Sequence, residues 1–290
     1  MEAVTVCMTA RNAEKTIGAS IRSVLRALPR SGRVLVRDDA SSDRTGEIVA
    51  RITDPRLEVL ADSSPLGIPA SRNELLDRVE TPVVAVLDAD DRAFPWRFQR
   101  QIRLLEAGND LVFSSVVIRK PPLPALRPQF FPSLASAASA VALLLENPFM
   151  HPTMTARTDA VRSLGGYRPV SAEDFDLYLR ASTSGLRLLR DRVPTVLYLR
   201  HAAQTTIDPT WIQAKTANPL VQEAFEDLGV KTLGFVPSWF AWRRDGCPRG
   251  RAPEGLSDQL DAVQSSLRAL RPSERRYLES RIARLRRAAT

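Results

Sequence analysis

The chain contains 290 residues, of which 44% are hydrophobic and 26% are charged. This length and composition are those of a globular protein with one large domain or two smaller ones. Two cysteines and two histidines are too few for a disulfide framework or a cysteine-rich zinc site. A metal ion in this protein would therefore need carboxylate ligands.

The charge is concentrated in the C-terminal segment. The formal net charge is +8, and twelve arginines but only six acidic residues lie between positions 243 and 290. Such a segment is either a solvated helical surface or a contact for anionic lipid or another polyanion. The N-terminus lacks the basic and apolar regions of a secretory signal, and no apolar run approaches the ~20 residues that span a bilayer. We expect a cytoplasmic protein whose membrane contact, if it has one, is peripheral, at the inner face of the membrane and through the C-terminal helices.

The first half of the chain alternates short β-rich runs with amphipathic helical patterns, which is typical of a parallel sheet flanked by helices. The apolar runs predict strands at residues 4–8, 33–36, 57–60, 83–87 and 111–118. The helical patterns between them predict helices at residues 13–28, 42–52, 69–79 and 95–107.

The pattern changes after Arg119. Five prolines between Lys120 and Pro132 predict a loop or crossover. Beyond it the sequence predicts helices up to residue 146 and at 173–184, 208–228 and 257–289 (broken at Pro272), with strands at 153–156 and 195–199. We expect one α/β domain with a small C-terminal helical appendage.

Polar residues follow three of the predicted strands. They are Thr9–Asn12 after the first strand, Asp38–Asp39 after the second and Asp88–Asp91 after the fourth. Ligands of open parallel sheets bind outside the carboxyl ends of the strands. The convergence of the three segments predicts a ligand site at this edge.

Asp88 and Asp90 form an Asp-x-Asp motif behind a buried strand. Alternation along the strand places both side chains on the same side, where two carboxylates repel each other unless a cation or a proton compensates them. Oxygen ligands of this kind suit Mg²⁺ or Mn²⁺ together with substrate phosphate oxygens. An isolated Asp-x-Asp is more often a turn or a helix cap, but Asp38 and Asp39 two strands away favour the metal site.

Other chemistries of α/β proteins lack their motifs here. The sequence has no G-x-G-x-x-G after the first strand, no G-x-x-x-x-G-K-[ST] and no G-x-S-x-G. These absences argue against a dinucleotide fold, a P-loop and an α/β-hydrolase. A sugar-1-phosphate nucleotidyltransferase should have a glycine-rich loop where this chain has Ala10–Ala13. Nucleic-acid binding would rest on the basic segment alone, without a recognised motif, so we expect no nucleic-acid partner.

Taken in order, several segments resemble family 2 glycosyltransferases with the GT-A fold. The resemblance covers residues 3–207 and is carried by residues 9–12, 36–45, 67–73, 87–91, 165–167, 172–177 and 198–201. It implies a GT-A type, Rossmann-like, mostly parallel sheet flanked by helices over residues 1–230. Residues 1–118 would bind the nucleotide sugar, residues 119–230 would bind the acceptor, and residues 231–290 would form a basic helical extension.

The resemblance also implies a nucleotide pocket, lined by Thr9, Ala10, Asn12 and Arg72. Asp39, or Asp38 in the alternative register of the loop, would hydrogen-bond the base. Asp88 would face the ribose and the sugar. Many members of the family have tyrosine where Ala10 stands and glycine where Ala40 stands, so contacts near the base differ in this chain.

The remaining roles implied by the resemblance are catalytic. Asp90 of the DXD motif would bind Mg²⁺ or Mn²⁺ on the diphosphate, and His201 would approach the same metal. Asp174 would be the catalytic base, with Glu173 as its neighbour. His151, between two prolines, is interpreted as a residue that shapes a loop near the acceptor.

These residues together predict a metal-dependent inverting glycosyltransferase. It would move a sugar from a UDP-, TDP- or GDP-sugar to a hydroxyl group of a glycan, a lipid carrier, a peptide or a small metabolite. The alternative is a catalytically dead nucleotide-sugar-binding module. Such a module would have lost the metal ligand or the base, whereas this chain has both Asp90 and Asp174.

Overall fold

A computed structural model of the chain describes residues 3–120, 126–200, 218–244, 246–247 and 251–290. Nine strands of these residues form one sheet. Their bounds are β1 (Val4–Ala10), β2 (Arg33–Asp39), β3 (Leu57–Asp62), β4 (Val83–Val86), β5 (Arg92–Ala93), β6 (Leu111–Arg119), β7 (Leu126–Gln129), β8 (Thr155–Arg157) and β9 (Leu188–Leu199).

The first four long strands are parallel, and β1 lies between β2 and β4. The sheet order is β3-β2-β1-β4-β8-β6-β9-β5, with β7 paired to β6. Val6 of β1 is in register with Val34 of β2 and with Ala85 of β4. β8 runs antiparallel between β4 and β6. The prediction of a mostly parallel α/β sheet is confirmed, because the buried apolar runs of β1, β2 and β4 require cover on both faces.

Eleven α-helices lie within the described residues. Their bounds are α1 (Ile17–Ala27), α2 (Thr45–Ala50), α3 (Ile68–Asp77), α4 (Arg97–Glu106), α5 (Ser136–Leu145), α6 (Thr158–Ser163), α7 (Glu173–Thr183), α8 (Pro219–Leu233), α9 (Trp239–Arg244), α10 (Leu256–Ser266) and α11 (Pro272–Ala289). Pro69 and Pro272 stand in the first turns of α3 and α11, where the missing N–H of proline costs nothing.

The prediction of a loop or crossover over residues 120–132 missed a strand. Residues Leu126–Gln129 form β7, which pairs antiparallel with the end of β6 and places Pro128 opposite Val117. β7 is an outer strand that pairs with β6, and an outer strand accepts proline because one side of it needs no ladder hydrogen bonds.

Two further boundaries differ from the predictions. β9 begins at Leu188 rather than at residue 195. Pro194 lies inside this strand, shortly before Val196 and Leu197 pair with β5. α2 begins at Thr45 rather than at Ser42, because a carboxylate oxygen of Asp43 accepts both the backbone N–H (2.9 Å) and the hydroxyl of Thr45. The short elements β5, α6 and α9 were not predicted.

The chain divides into two compact units. The first comprises residues Met1–Phe131, Phe149–Pro169 and Arg190–His201, and it contains almost all of the sheet. The second comprises residues Pro132–Pro148, Val170–Leu189 and Ala202–Thr290, and its described part is mainly helical. The predicted division into residues 1–230 and an extension over 231–290 stays a prediction.

Within the second unit, α11 packs against α5. The Glu274 side chain accepts a hydrogen bond from the backbone N–H of Ala135 (2.8 Å), and Arg281 pairs with Glu146 at the end of α5 (2.6 Å). Tyr277, Leu278 and other apolar residues of α11 are buried. No helix among the described residues combines the length and the apolar character needed to cross a bilayer.

Candidate functional site

The polar segments predicted to converge follow β1, β2 and β4, which are neighbours in the sheet. Thr9 and Ala10 end β1, and Ala10 is in register with Asp38 at the end of β2. Because parallel strands end at the same edge of a sheet, the three segments lie at one edge.

The loops after β1 and β2 are joined by side chains. The Asn12 side-chain oxygen accepts hydrogen bonds from the backbone N–H (2.9 Å) and the hydroxyl (3.3 Å) of Ser42. The backbone N–H of Asn12 donates to the hydroxyl of Ser41 (2.9 Å). Asn12 and Ala40 have φ values of 52° and 57°, which asparagine tolerates but which costs energy for alanine. A glycine at position 40 would adopt this conformation without that cost.

Asp38 and Asp39 are both buried but have different partners. Asp39 accepts from the backbone N–H groups of Leu66 (2.7 Å) and Gly67 (3.1 Å) and from the Ser71 hydroxyl (3.0 Å). Its carboxylate therefore holds the loop before α3 and the first turn of that helix. Asp38 accepts from the backbone N–H of Ser41 (3.1 Å) through one oxygen.

Arg72 on α3 connects Asp88 with an aromatic group. One guanidinium nitrogen lies 3.8 Å from an Asp88 oxygen, and the guanidinium carbon lies 5.5 Å from the centre of the Tyr167 ring. The Tyr167 hydroxyl lies 3.4 Å from Nε2 of the buried His151, whose ring meets that of Tyr167 edge to face. Burial, together with the positive charge of Arg72, lowers the pKa of His151 well below 6.5.

Tyr167 is held by its backbone. Asn73 donates to the Tyr167 carbonyl oxygen (2.8 Å) and accepts from the Tyr167 N–H (2.8 Å). Gly166 has a φ of 69°, and a Cβ there would lie 2.5 Å from the Asn73 side-chain oxygen, so glycine is required. The sequence motif contained Asn73 and Tyr167, but no role had been assigned to either of them.

An apolar recess lies beside Arg72 and Tyr167. Its walls include Cys7, Thr9 and Val86, from the strands, and Leu75 of α3. Burial raises the pKa of the Cys7 thiol to about 12, so this cysteine is a core residue, as predicted, and not a nucleophile.

Three carboxylates meet after β4. One oxygen from each of Asp88, Asp90 and Asp91 lies within 4.8 Å of the others. Asp91 is fully buried; one of its oxygens accepts from the backbone N–H of Leu199 (2.8 Å), and the other has no hydrogen-bond partner among the described residues. An unpartnered buried oxygen in a set of hard oxygen donors fits a divalent cation such as Mg²⁺ or Mn²⁺. This acidic cluster could therefore hold one.

Asp91 had no assigned role, although a third aspartate directly after the Asp-x-Asp motif was the available signal. Burial and the neighbouring Asp88 and Asp90 raise the pKa of Asp91 well above 3.8. The fully buried Arg97 partly offsets this charge, and its own pKa is lowered by burial to about 9. Arg97 is held by the carbonyl oxygens of Val86 (2.7 Å) and Met154 (3.1 Å).

The two predicted catalytic acids begin α7, in the second compact unit. Glu173 is buried, whereas Asp174 is partly exposed and accepts from the backbone N–H of Phe175 (2.7 Å). Asp176, two residues after Asp174, is fully buried and pairs with Arg180 (2.8 Å). Carboxylates in the first turn interact favourably with the helix dipole. The predicted metal ligand His201 lies outside the described residues.

Sequence comparisons relate the chain to glycosyltransferases. The model of the family described as "Glycosyl transferase family 2" matches residues 5–165, more than half of the chain. EpsE of Bacillus subtilis is 29% identical over 199 residues, which is 63% of this chain and 68% of EpsE. A shorter match, to WfgD of Escherichia coli, is 35% identical over 106 residues, which is 37% of this chain and 42% of WfgD. The full name of WfgD is UDP-Glc:alpha-D-GlcNAc-diphosphoundecaprenol beta-1,3-glucosyltransferase.

Solved structures with the same fold include S. aureus TarS. TarS in complex with UDP superposes with a TM-score of 0.63 at 18% identity, covering 99% of this chain and 90% of TarS. Its complex with UDP-GlcNAc gives a TM-score of 0.59 at 16% identity. This likeness confirms the predicted GT-A fold.

Proposed function

The chain belongs to glycosyl transferase family 2, and from that premise we propose that it transfers a sugar from a nucleotide donor to an acceptor hydroxyl with the aid of a divalent cation. Membership of the family confirms the prediction of a glycosyltransferase. The metal, the donor, the acceptor and the individual roles of residues belong to the proposal. The observation that supports it best is the cluster of Asp88, Asp90 and Asp91 with its unpartnered buried oxygen.

We propose a UDP-sugar as the donor. TarS binds UDP and UDP-GlcNAc in its crystal structures, and the name of WfgD contains UDP-Glc. Thr9, Ala10, Asn12 and Arg72 would line the pocket of the nucleotide. Asp38 is the better candidate for the base, because Asp39 already accepts three hydrogen bonds.

Asp88 and Arg72 would together contact the ribose and the diphosphate of the donor. Tyr167 and His151 lie behind the guanidinium, so Arg72 has a defined position before the donor arrives. A neutral His151 adds no second positive charge there. A guanidinium group whose position is already fixed stabilises developing negative charge more than a mobile one does, because it needs no reorganisation during the reaction.

Asp90 would hold the cation, with Asp88 and Asp91 beside it, and His201 stays a predicted ligand of the same cation. A divalent cation at this position, when bound, neutralises the charge that develops on the departing diphosphate. Arg97 lies on the protein side of the cluster and fixes the end of β4, which limits movement of the three carboxylates.

Asp174 would accept the proton of the attacking acceptor hydroxyl, with Glu173 as its neighbour. The hydroxyl oxygen forms a bond to C1 of the sugar while the bond from C1 to the diphosphate oxygen breaks, and the electron pair leaves with the diphosphate. One such displacement inverts the configuration at C1. A positioned carboxylate contributes ~10²–10⁴-fold to such a step.

Peripheral membrane contact through the C-terminal helices, at the inner face, also stays part of the proposal. Arg276, Arg284 and Arg287 of α11 are exposed, and basic residues near an anionic surface contribute about 1 kcal/mol each. Their replacement by glutamine should reduce sedimentation with anionic vesicles, and unchanged sedimentation would exclude this contact.

The decisive experiment measures thermal stability with UDP, TDP or GDP, each with Mn²⁺, Mg²⁺ or EDTA. A ligand at about 100 times its Kd adds ~2.7 kcal/mol to the free energy of unfolding, which a melting curve resolves. We expect stabilisation by UDP that EDTA abolishes. Stabilisation by UDP that EDTA leaves unchanged would favour the catalytically dead nucleotide-sugar-binding module, and stabilisation by no nucleotide under any condition would contradict both descriptions.

A further inference from the structure

Arg97, the first residue of α4, is a buried cation next to the acidic cluster. Its side chain is fully buried, and within the described residues its hydrogen bonds go to neutral oxygens, those of Val86 (2.7 Å), Met154 (3.1 Å) and Gln101 (3.1 Å). Its third guanidinium nitrogen, Nη1, is buried without a hydrogen-bond partner among those residues. None of these contacts neutralises the positive charge, so its burial is costly unless carboxylates nearby compensate it.

The compensating charges are those of the cluster. Burial lowers the pKa of Arg97 to about 9, while Asp91 and Asp88 act to raise it, so the guanidinium remains charged at neutral pH. Burial and the neighbouring carboxylates raise the pKa of Asp91, and Arg97 acts in the opposite direction. Arg97 and Asp91 are thus two buried groups of opposite charge that stabilise each other.

Hydrogen bonds fix Arg97 beside the cluster. Its acceptor Val86 ends β4, two residues before Asp88. Its other partner Gln101, one turn later on α4, also accepts from the Thr155 hydroxyl of β8 (2.8 Å). The guanidinium therefore has a defined position relative to β4 and β8 whether or not a cation is bound.

We propose that Arg97 is a positioning residue that sets how tightly the acidic cluster holds a divalent cation. Its buried charge supplies part of the compensation that the three carboxylates need, which stabilises the metal-free cluster and weakens its attraction for a free cation. A cation that also binds the donor diphosphate gains further negative ligands and is retained. This inference rests on the proposed function, because it concerns the cation of the same site.

A purely structural role for Arg97 predicts the opposite effect on cation binding. If Arg97 served only to tie β4 to its neighbours, its loss would let the carboxylates separate and would weaken the binding of a cation. If its charge is what acts on the cluster, the loss of that charge strengthens the binding of a cation, because one repulsive term is removed. The sign of the change therefore decides between the two roles.

Two replacements separate the charge from the hydrogen bonds. Arg97→Gln removes the charge and keeps a donor, whereas Arg97→Lys keeps the charge beside the carboxylates and loses the guanidinium geometry. The probe is Mn²⁺ alone, and its bound fraction on the full chain is measured by electron paramagnetic resonance. We expect Arg97→Gln to bind Mn²⁺ at least about tenfold more tightly than the wild type, and Arg97→Lys to stay within about threefold of it. Unchanged or weaker binding by Arg97→Gln, or the same change in both variants, would overturn the proposal.

Arg37→Gln is the matched control. Arg37 is also buried, but it lies on β2 and pairs with Glu74 (2.9 Å), and β1 separates β2 from β4. This variant should lose stability in urea without binding Mn²⁺ more tightly. If it tightens Mn²⁺ binding as much as Arg97→Gln does, the effect comes from the net charge of the protein, and the proposal is refuted.

A double-mutant cycle in EDTA tests the same charge without any metal. Arg97→Gln deprives the three carboxylates of their internal cation, so the melting temperature should fall. In the background of Asp91→Asn the fall should be at most about half as large, because one of the carboxylate charges is already gone. If Arg97→Gln folds only together with Asp91→Asn, the charge balance is supported as well. An equal fall in both backgrounds, or the absence of folded protein in both, would assign Arg97 to the fold alone.

The wild type separates this inference from the proposed function. If UDP with Mn²⁺ fails to stabilise it, the proposed function is refuted, whereas the cycle in EDTA still measures the coupling of Arg97 to Asp91. If UDP with Mn²⁺ stabilises the wild type but Arg97→Gln does not bind Mn²⁺ more tightly, the role of Arg97 is refuted and the proposed function stands.

Discussion

Adjacent aspartates stand at the carboxyl ends of two buried strands, Asp38–Asp39 as the last residues of β2 and Asp90–Asp91 after β4, and their surroundings are opposite. The Asp39 carboxylate accepts three hydrogen bonds from the loop and the first turn of α3. The Asp91 carboxylate accepts one, from Leu199, and leaves a buried oxygen without a partner beside two other carboxylates.

This difference separates a carboxylate that the protein satisfies from one that the described residues leave partly unsatisfied. Three donors of the protein satisfy the Asp39 carboxylate, so it needs no partner from outside. Burial beside like charges destabilises the charged form of Asp91, and a bound cation would relieve that cost. Adjacent aspartates thus support the fold through Asp39 at the end of β2, whereas after β4 they leave an Asp91 oxygen that a ligand could satisfy.

Replacing Asp90 should have the largest effect on activity. Asp90→Asn removes a negative charge from the cluster while keeping its shape, so the cation is held weakly and the departing diphosphate is not neutralised. We expect kcat/KM with Mn²⁺ to fall at least about 100-fold. Asp77→Asn, at the exposed end of α3, is the matched control. If Asp90→Asn retains undiminished Mn²⁺-dependent transfer, the assignment of the metal to this site is refuted.

Replacing Asp39 should have the largest effect on stability. Asp39→Ala leaves the N–H groups of Leu66 and Gly67 and the Ser71 hydroxyl without their acceptor, at a cost of about 2–3 kcal/mol. The measurement is the free energy of unfolding in urea. Asp38→Ala, which loses one acceptor, should cost about 1 kcal/mol and should instead weaken UDP binding. Equal losses of stability in the two variants would contradict the distinction between these neighbours.

Replacing Asp91 should change stability in the other direction. Asp91→Asn keeps an acceptor for the Leu199 N–H and removes a buried charge next to Asp88 and Asp90. The metal-free protein should be as stable as the wild type or more stable by about 1 kcal/mol. The stabilisation by UDP with Mn²⁺ should decrease in the same variant. A loss of metal-free stability as large as that of Asp39→Ala would show that Asp91 is structural.

The smallest expected effect concerns His151, a buried group with one neighbouring positive charge. Its pKa is lowered in the folded state, whereas an unfolded histidine titrates near ~6.5. Below that pH the unfolded chain binds a proton that the folded chain does not, so the free energy of unfolding falls as the pH decreases below ~6.5 and is constant above it. Urea titrations of the wild type and His151→Gln isolate this contribution, because all other groups are common to both. If the free energy of unfolding changes with pH in the same way in both proteins, the lowered pKa of His151 is contradicted.

Much of the sheet could be predicted because its information is local. Apolar runs of four or more residues identified β1, β2 and β4, and the motifs between them placed Asp88 and Asp90 behind a buried strand. β7 was missed because Pro128 and the other prolines of residues 120–132 are compatible with a strand only if that strand is an outer one. The position of a strand in the sheet is not a local property.

The roles of individual carboxylates could not be predicted in the same way. Asp39 lies 27 residues before Leu66 in the sequence, and Asp91 lies 108 residues before Leu199. Both hydrogen bonds depend on how distant segments meet, and no spacing in the sequence specifies that.

The sequence by itself determined that this chain forms a parallel sheet with acidic residues at its carboxyl edge, because strand periodicity and residue type are local. Only the tertiary structure decided which of those acids are satisfied by the protein and which are not. The physical reason is that the energy of a buried charge depends on the donors and charges around it, and folding alone brings those neighbours together.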